Sequence, residues 1–172
     1  MEESKLWQLA RSLPPGLQRE AGRWVNSPFF NRKAQVSLLW AYLQQLLKSK
    51  TTAPKKAEAY RAAFPDEKFD ISKLRLAMSD LYKLLLHFIA YQEWQQESIA
   101  PELYQARYLR RAGLDKLARQ QLKQGEKVSQ ISKLKNADHL RYAYELMAER
   151  YILDSRSRPA DTRQLEQLSQ MA

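Results

Sequence analysis

No cysteine occurs among the 172 residues, which removes disulfides, thiolate metal sites and a cysteine nucleophile at once. Glycine is nearly as scarce. Gly16, Gly22, Gly113 and Gly125 stand alone, so no glycine-rich loop exists to cradle a phosphate, and nucleotide hydrolysis by a P-loop is excluded. β-Branched residues number only 3 Val, 5 Ile and 3 Thr against 26 Leu, and since those are the side chains a pleated sheet packs best, no substantial sheet is expected. No apolar run approaches the roughly 20 residues of a membrane span. The opening Met1-Glu2-Glu3-Ser4-Lys5 also lacks the basic start of a secretion signal. These absences predict an all-α, soluble, cytoplasmic chain of one domain or two small ones, stabilised by its core alone.

Histidine is limited to His87 and His139, 52 residues apart and without HExxH or Glu-x-x-His spacing. His87 lies in an apolar helical stretch and His139 in a first helical turn beside Asp138; both read as structural residues. Glu145 and Glu149 are four apart, as a catalytic carboxylate pair on one helix could be, but Arg141 and Arg150 neighbour them and favour a surface ion-pair ladder. The chain therefore reads as a non-enzyme, with no cofactor and no metal.

Apolar residues recur at three- and four-residue spacing throughout. Leu6, Leu9, Ala10 and Leu13 form one stripe, closed by Pro14-Pro15-Gly16; Leu17, Ala21, Trp24 and Val25 form the next, up to Pro28. Phe29 and Phe30 follow in a connector and are expected to wedge between helices. Asn31 can cap a helix over about 32–48 that turns Val36, Leu39, Trp40, Leu43 and Leu47 inward. Pro54 opens a short helix with Ala57, Tyr60 and Phe64 inward, and Asp70 caps a long one from Ile71 to about Trp94. The stretch from Leu81 to Tyr91 is apolar on nearly every side, which predicts the central, most buried helix, with Leu81, Leu85 and Phe88 inaccessible. A helix opened by Pro101 ends at Gly113; Leu114, Leu117, Leu122 and Val128 continue a stripe interrupted by Gly125. Asn136 caps a further helix expected to bury Leu140, Ala143, Tyr144, Met147 and Tyr151. A linker over 155–159 precedes Leu165, Leu168 and Met171, again at helical spacing. The expected architecture is a helical bundle of six or more helices. An N-terminal domain with a helix-turn-helix-like core spans 1–94, a helical hairpin region packed on it 95–154, and a linker with terminal helix 155–172.

The net charge of +10 is unevenly placed. Residues 51–100 carry 7 basic and 7 acidic side chains, whereas 104–135 carry 9 basic residues against Asp115 and Glu126. Lys116, Arg119, Lys123 and Lys127 share one helical face, and Arg110 and Arg111 lie just upstream. Such a stripe could track phosphates or could be a solvated face opposite a core stripe. Tyr104 and Tyr108 lie beside it at a spacing that suits base stacking or a core. A protein partner is the leading expectation for this chain, and nucleic acid, reached through the basic stripe, is the alternative.

Two resemblances attach to particular strings. Ser27-Pro28-Phe29-Phe30-Asn31, Met78-Ser79-Asp80-Leu81-Tyr82-Lys83-Leu84-Leu85 and Leu109-Arg110-Arg111-Ala112-Gly113-Leu114-Asp115-Lys116 together resemble a bacterial family of uncharacterised helical proteins, over roughly residues 20–155. Members are usually longer, which implies that this chain is a fragment; the family brings no activity. The segments 32–48, 54–64 and 71–88, with Ser79, Leu81, Lys83 and Leu84 in a Ser-x-Leu-x-Lys-Leu pattern, are similar to the helix-turn-helix region of bacterial winged-helix transcriptional activators. That similarity implies DNA reading by Lys73, Arg75, Leu76, Ser79 and Lys83. Against it stand the missing strand hairpin of a wing, Asp80, and the neutral middle third.

Overall fold

The computed structural model describes residues 3–49, 53–97, 99–131 and 136–157. Among these it contains eight α-helices and no strand, and no helix is long and apolar enough to cross a membrane. The chain divides into two compact units, Met1–Tyr91 and Gln92–Ala172.

In the first unit, Ser4 caps α1 (Lys5–Ser12), its Oγ accepting from the Trp7 amide at 3.3 Å, and Pro15 opens α2 (Pro15–Val25). The other helices are α3 (Ala34–Ser49), α4 (Lys56–Ala63) and α5 (Ile71–Gln96), whose residues from Gln92 on belong to the second unit. Asp70 caps α5, its Oδ1 accepting from the Ser72 amide at 2.7 Å. The stripes read from the sequence in α1 and α3 meet in one core, where Leu6, Trp7, Val36, Leu39, Trp40 and Leu43 are buried. Helices α2 and α3 approach closely at Gly22, where a Cβ would stand 3.0 Å from Gln44 Nε2 and 3.3 Å from Trp40 Nε1.

Several expectations are corrected here. Asn31 is not the first cap of α3, which starts at Ala34; it braces the connector instead. Its Nδ2 donates to the Val25 carbonyl at 2.9 Å and to Ser37 Oγ at 3.1 Å, while its Oδ1 accepts from the Lys33 amide. In α4 the inward residues are Ala59, Tyr60 and Ala63, and Ala57 faces water. Helix α5 buries a single row, Leu74, Ala77, Leu81, Leu85 and Phe88, and exposes Leu76 and Leu86. At about 100° per residue Leu76 and Leu86 fall on the far side of the helix from that row. The Phe29-Phe30 wedge does not form either. Phe30 and Asn31 donate their amides to the Ser27 carbonyl in a turn that throws Phe29 outward, 83% exposed. Phe30 lies flat on Trp24 with ring centroids 3.6 Å apart, and Phe29 meets Phe30 edge-on at 4.9 Å.

The second unit contains α6 (Ala100–Arg111), α7 (Asp115–Ile131) and α8 (Ala137–Ser157). Gly113, at φ 76°, closes α6: its amide donates to the Arg110 carbonyl and the Leu114 amide to that of Leu109, satisfying the end of the helix as a left-handed glycine allows. Asn136 caps α8, its Oδ1 accepting from the His139 amide at 2.8 Å. The core joins Ile99 and Leu103 to Ala118, Leu122, Leu146 and Leu153. Gly125 does not interrupt α7; it lets three helices meet, since a Cβ there would stand 3.0 Å from Leu146 Cδ2 and 3.3 Å from Glu102 Cβ. Leu114 and Leu117, expected inside, are exposed, and Ala118, Leu122 and Gly125 take the inner face. Ser155, read as linker, is helical and donates to the Ile152 carbonyl at 2.8 Å. Lys133, Lys135, Leu165, Leu168 and Met171 lie outside the described residues.

Phe29→Ala is expected to change the unfolding free energy by less than about 0.5 kcal/mol, whereas Phe88→Ala, which opens a cavity in the core, costs about 3–5 kcal/mol. Denaturant titration of both variants checks this pair.

Candidate interaction surface

Helix α8 carries two rows of side chains at helical spacing, and sequence reasoning selects the wrong one as the inner face. The buried row is His139, Tyr142, Leu146, Glu149 and Leu153, with steps of three and four. The greasier row faces water: Leu140 is 60% exposed, Tyr144 72%, Met147 67% and Tyr151 71%. At about 100° per residue the two rows are centred on opposite sides of the helix.

The reason lies in α6. Arg110 Nε donates to Glu149 Oε2 at 2.7 Å, Arg107 Nε donates to Glu149 Oε1 at 3.0 Å, and Arg107 Nη2 donates to Glu145 Oε2 at 2.8 Å. With its side chain only 8% exposed, Glu149 is a carboxylate that folding removes from water, and a buried charge is tolerated only when paired and hydrogen-bonded. Two guanidinium groups on one helical face supply that pairing, and α8 must turn Glu149 toward them. His139 supports the same rotation from the other end, its Nε2 3.3 Å from Ser129 Oγ of α7. Of the expected surface ladder of Glu145 and Glu149 with Arg141 and Arg150, the Arg141–Glu145 rung forms at 3.6 Å, while Glu149 turns inward. Arg150 instead reaches across to Glu126 at 2.6 Å, and Arg141 pairs with Asp138 at 3.3 Å and with Glu145. Burial by itself would raise the Glu149 carboxyl. The hydrogen bonds and charge of Arg110 and Arg107 outweigh it and hold the group below its ordinary value of 4.5.

The predicted basic stripe is split by these pairings. Arg110 is committed to Glu149, and Arg119 of α7 pairs with Asp154 and donates to the Leu153 carbonyl at 3.2 Å. Lys116, Lys123 and Lys127 are exposed, with no carboxylate within 4.0 Å among the described residues, and Arg111 is exposed beside Gly113. Tyr104 and Tyr108 are surface residues too, Tyr104 lying 5.7 Å from the Arg107 guanidinium. In the first unit Lys73 is held by Glu67, while Arg75, Ser79 and Lys83 are exposed on α5 and Asp80 is bound to Lys33 at 2.7 Å. After Phe88 the chain remains helical to Gln96, and no strand hairpin follows among the described residues. His87 is exposed, and no group of three His, Asp or Glu side chains able to hold a metal ion occurs among the described residues.

The pairs Arg119–Asp154, Glu126–Arg150 and Ser129–His139 run in opposite chain directions, so α7 and α8 are antiparallel. Between them runs an open groove of about 510 Å³ whose walls include Ser129, Ala143, Met147, Arg150 and Tyr151. A smaller depression of about 260 Å³ continues it past Arg150 and Asp154 to Lys123. The surface thus combines an apolar row about 16 Å long with a groove along its flank.

Glu149→Ala, which takes the carboxylate from Arg110 and leaves Arg107 with Glu145 alone, is expected to destabilise the fold by about 3 kcal/mol. Because the folded-state pKa of Glu149 is lowered, its contribution is fully present above about 4.5 and is lost as pH falls through the lower folded value. Wild-type stability should therefore fall more steeply below that pH than the stability of the variant, as chemical denaturation at several pH values will show. No protein-family model, curated protein or solved structure matches the chain, so what it does is inferred from its own surface.

Proposed function

We propose that this chain is a non-enzymatic helical interaction module that engages a protein partner through the outer face of α8. One observation carries the reading: Leu140, Tyr144, Met147 and Tyr151 stand exposed in one row, opposite a core already complete without them. Exposed apolar residues scattered singly are ordinary, but four large ones aligned on a helix mark an interaction site. Rows with steps of four, three and four are what one helix offers another when side chains interdigitate.

Polyanion binding is the second reading, and the exposed Lys116, Lys123 and Lys127 favour it. It is the weaker one, because Arg110 and Arg119 would have to leave Glu149 and Asp154 to reach a phosphate. On α5, Lys73 would likewise have to leave Glu67. Phosphate contacts are salt-labile, whereas apolar helix packing is not.

The test places a photo-reactive residue at Met147 of the full chain and identifies the cross-linked species by mass spectrometry, with nuclease treatment and with salt raised to ~500 mM. Protein adducts that persist through both treatments and disappear in Tyr144→Glu with Tyr151→Glu are expected. Adducts that vanish with nuclease, or that ignore the two substitutions, contradict the proposal. Duplex binding followed by anisotropy, lost between ~50 and 200 mM salt as the lysines are neutralised, would transfer the function to the basic row.

A further inference from the structure

We infer that the partner segment received by α8 is an acidic amphipathic helix, seated along the α7–α8 groove with its apolar row on α8 and its carboxylates toward α7. This rests on the protein-interaction reading above and adds the chemistry of the occupant.

The antiparallel pairing sets which residues face each other across the groove. Arg119 lies opposite Asp154 and Glu126 opposite Arg150, which brings Lys123, between them on α7, level with the Tyr151 end of the α8 row, with Lys127 one turn further along. On α7 both lysines stand on the side away from Ala118, Leu122 and Gly125, and both are exposed. Met147 and Tyr151 line the groove from α8, Lys123 lines the adjoining depression from α7, and Lys127 stands exposed one turn along α7 beside Glu126.

The carboxylates near the groove do not neutralise the lysine bank. Asp154 is held by Arg119 and Glu126 by Arg150, so the charge left over is that of Lys123 and Lys127, with Lys116 two turns further along. A ligand filling the groove must cover the α8 row with apolar side chains and meet two ammonium groups four residues apart. A helix with hydrophobic residues at steps of four, three and four, and Glu or Asp at i and i+4 on the adjoining flank, does both. A basic or neutral helix would leave two ammonium groups facing its edge without a counter-charge. Such complementarity discriminates between partners more than it adds raw affinity.

Two synthetic helical peptides of about 16 residues test this against the full chain. Both carry Leu at the four-three-four spacing; one bears Glu along a flank and the other Lys at the same positions. The Glu peptide is expected to bind at least tenfold more tightly at ~50 mM salt, with the advantage falling to less than threefold in Lys123→Glu with Lys127→Glu. Both variants lie on the surface, and thermal melts verify that they remain folded. Equal binding of the two peptides overturns the acidic-partner inference while leaving the α8 face as the site. Binding that is unchanged in Tyr144→Ser with Tyr151→Ser overturns the site itself. A full chain that sediments as a dimer, and as a monomer in Met147→Glu, overturns the inference in favour of a second copy. Absence of binding by either peptide to the full chain also overturns it.

Discussion

A carboxylate taken out of water fixes the surface of the second unit. Glu149 can be buried because Arg107 and Arg110 meet it from α6 at 3.0 and 2.7 Å, and once it is buried the rotation of α8 about its axis is set. Everything displayed on the other side of that helix follows. A hydrophobic stripe of two tyrosines, a methionine and a leucine would ordinarily select the inner face, since burying each such side chain is worth roughly 1.5–3 kcal/mol. Here the alternative rotation also packs Leu146 and Leu153 fully, so little apolar burial is forgone. The opposite rotation would bury four apolar side chains, but it would also leave two arginines of α6 facing hydrocarbon. Breaking up a partly buried ionic cluster of this kind costs about 3–5 kcal/mol, enough to compete with the difference between two comparably apolar stripes.

The same logic accounts for what could be read from the sequence. The all-α class, the caps at Asp70 and Asn136, and the glycine stop at Gly113 were legible because each rests on a local property of one to four residues. The inner stripes of α1 and α3 were legible because each has one row that gathers most of its large apolar residues, with Leu38 of α3 exposed off it. Helix α8 was not, because it has two, and the choice between them depends on arginines about 40 residues earlier in the chain. Glu149, His139 and Ser129 were thereby missed as the set that positions the helix. The one available signal was the i, i+3 pair Arg107 and Arg110, matched to acidic residues four apart on a later helix.

The basic stripe shows how counting charge differs from placing it. Four cations at helical spacing on α7 form one face in sequence, yet Arg119 lies nearer α8 and finds Asp154 there, leaving the three lysines as a separate row. Phe29 and Phe30 show a related limit. Aromatic residues in a connector need partners, but Phe30 finds Trp24 on the surface, and Phe29 rests edge-on against Phe30 without entering the core. Both are cases in which a side chain satisfied its chemistry at the margin of the fold.

The rotation of α8 is tested most directly by hydroxyl-radical footprinting of the intact chain, reading the side chains of that helix by mass spectrometry. Tyr144, Met147 and Tyr151 should be modified at rates near those of free residues, and Tyr142, 8% exposed, at least tenfold more slowly than the other two tyrosines. Rapid modification of Tyr142 with protection of Tyr144 and Tyr151 would mean that α8 buries its greasier row, and that Glu149 does not set its rotation.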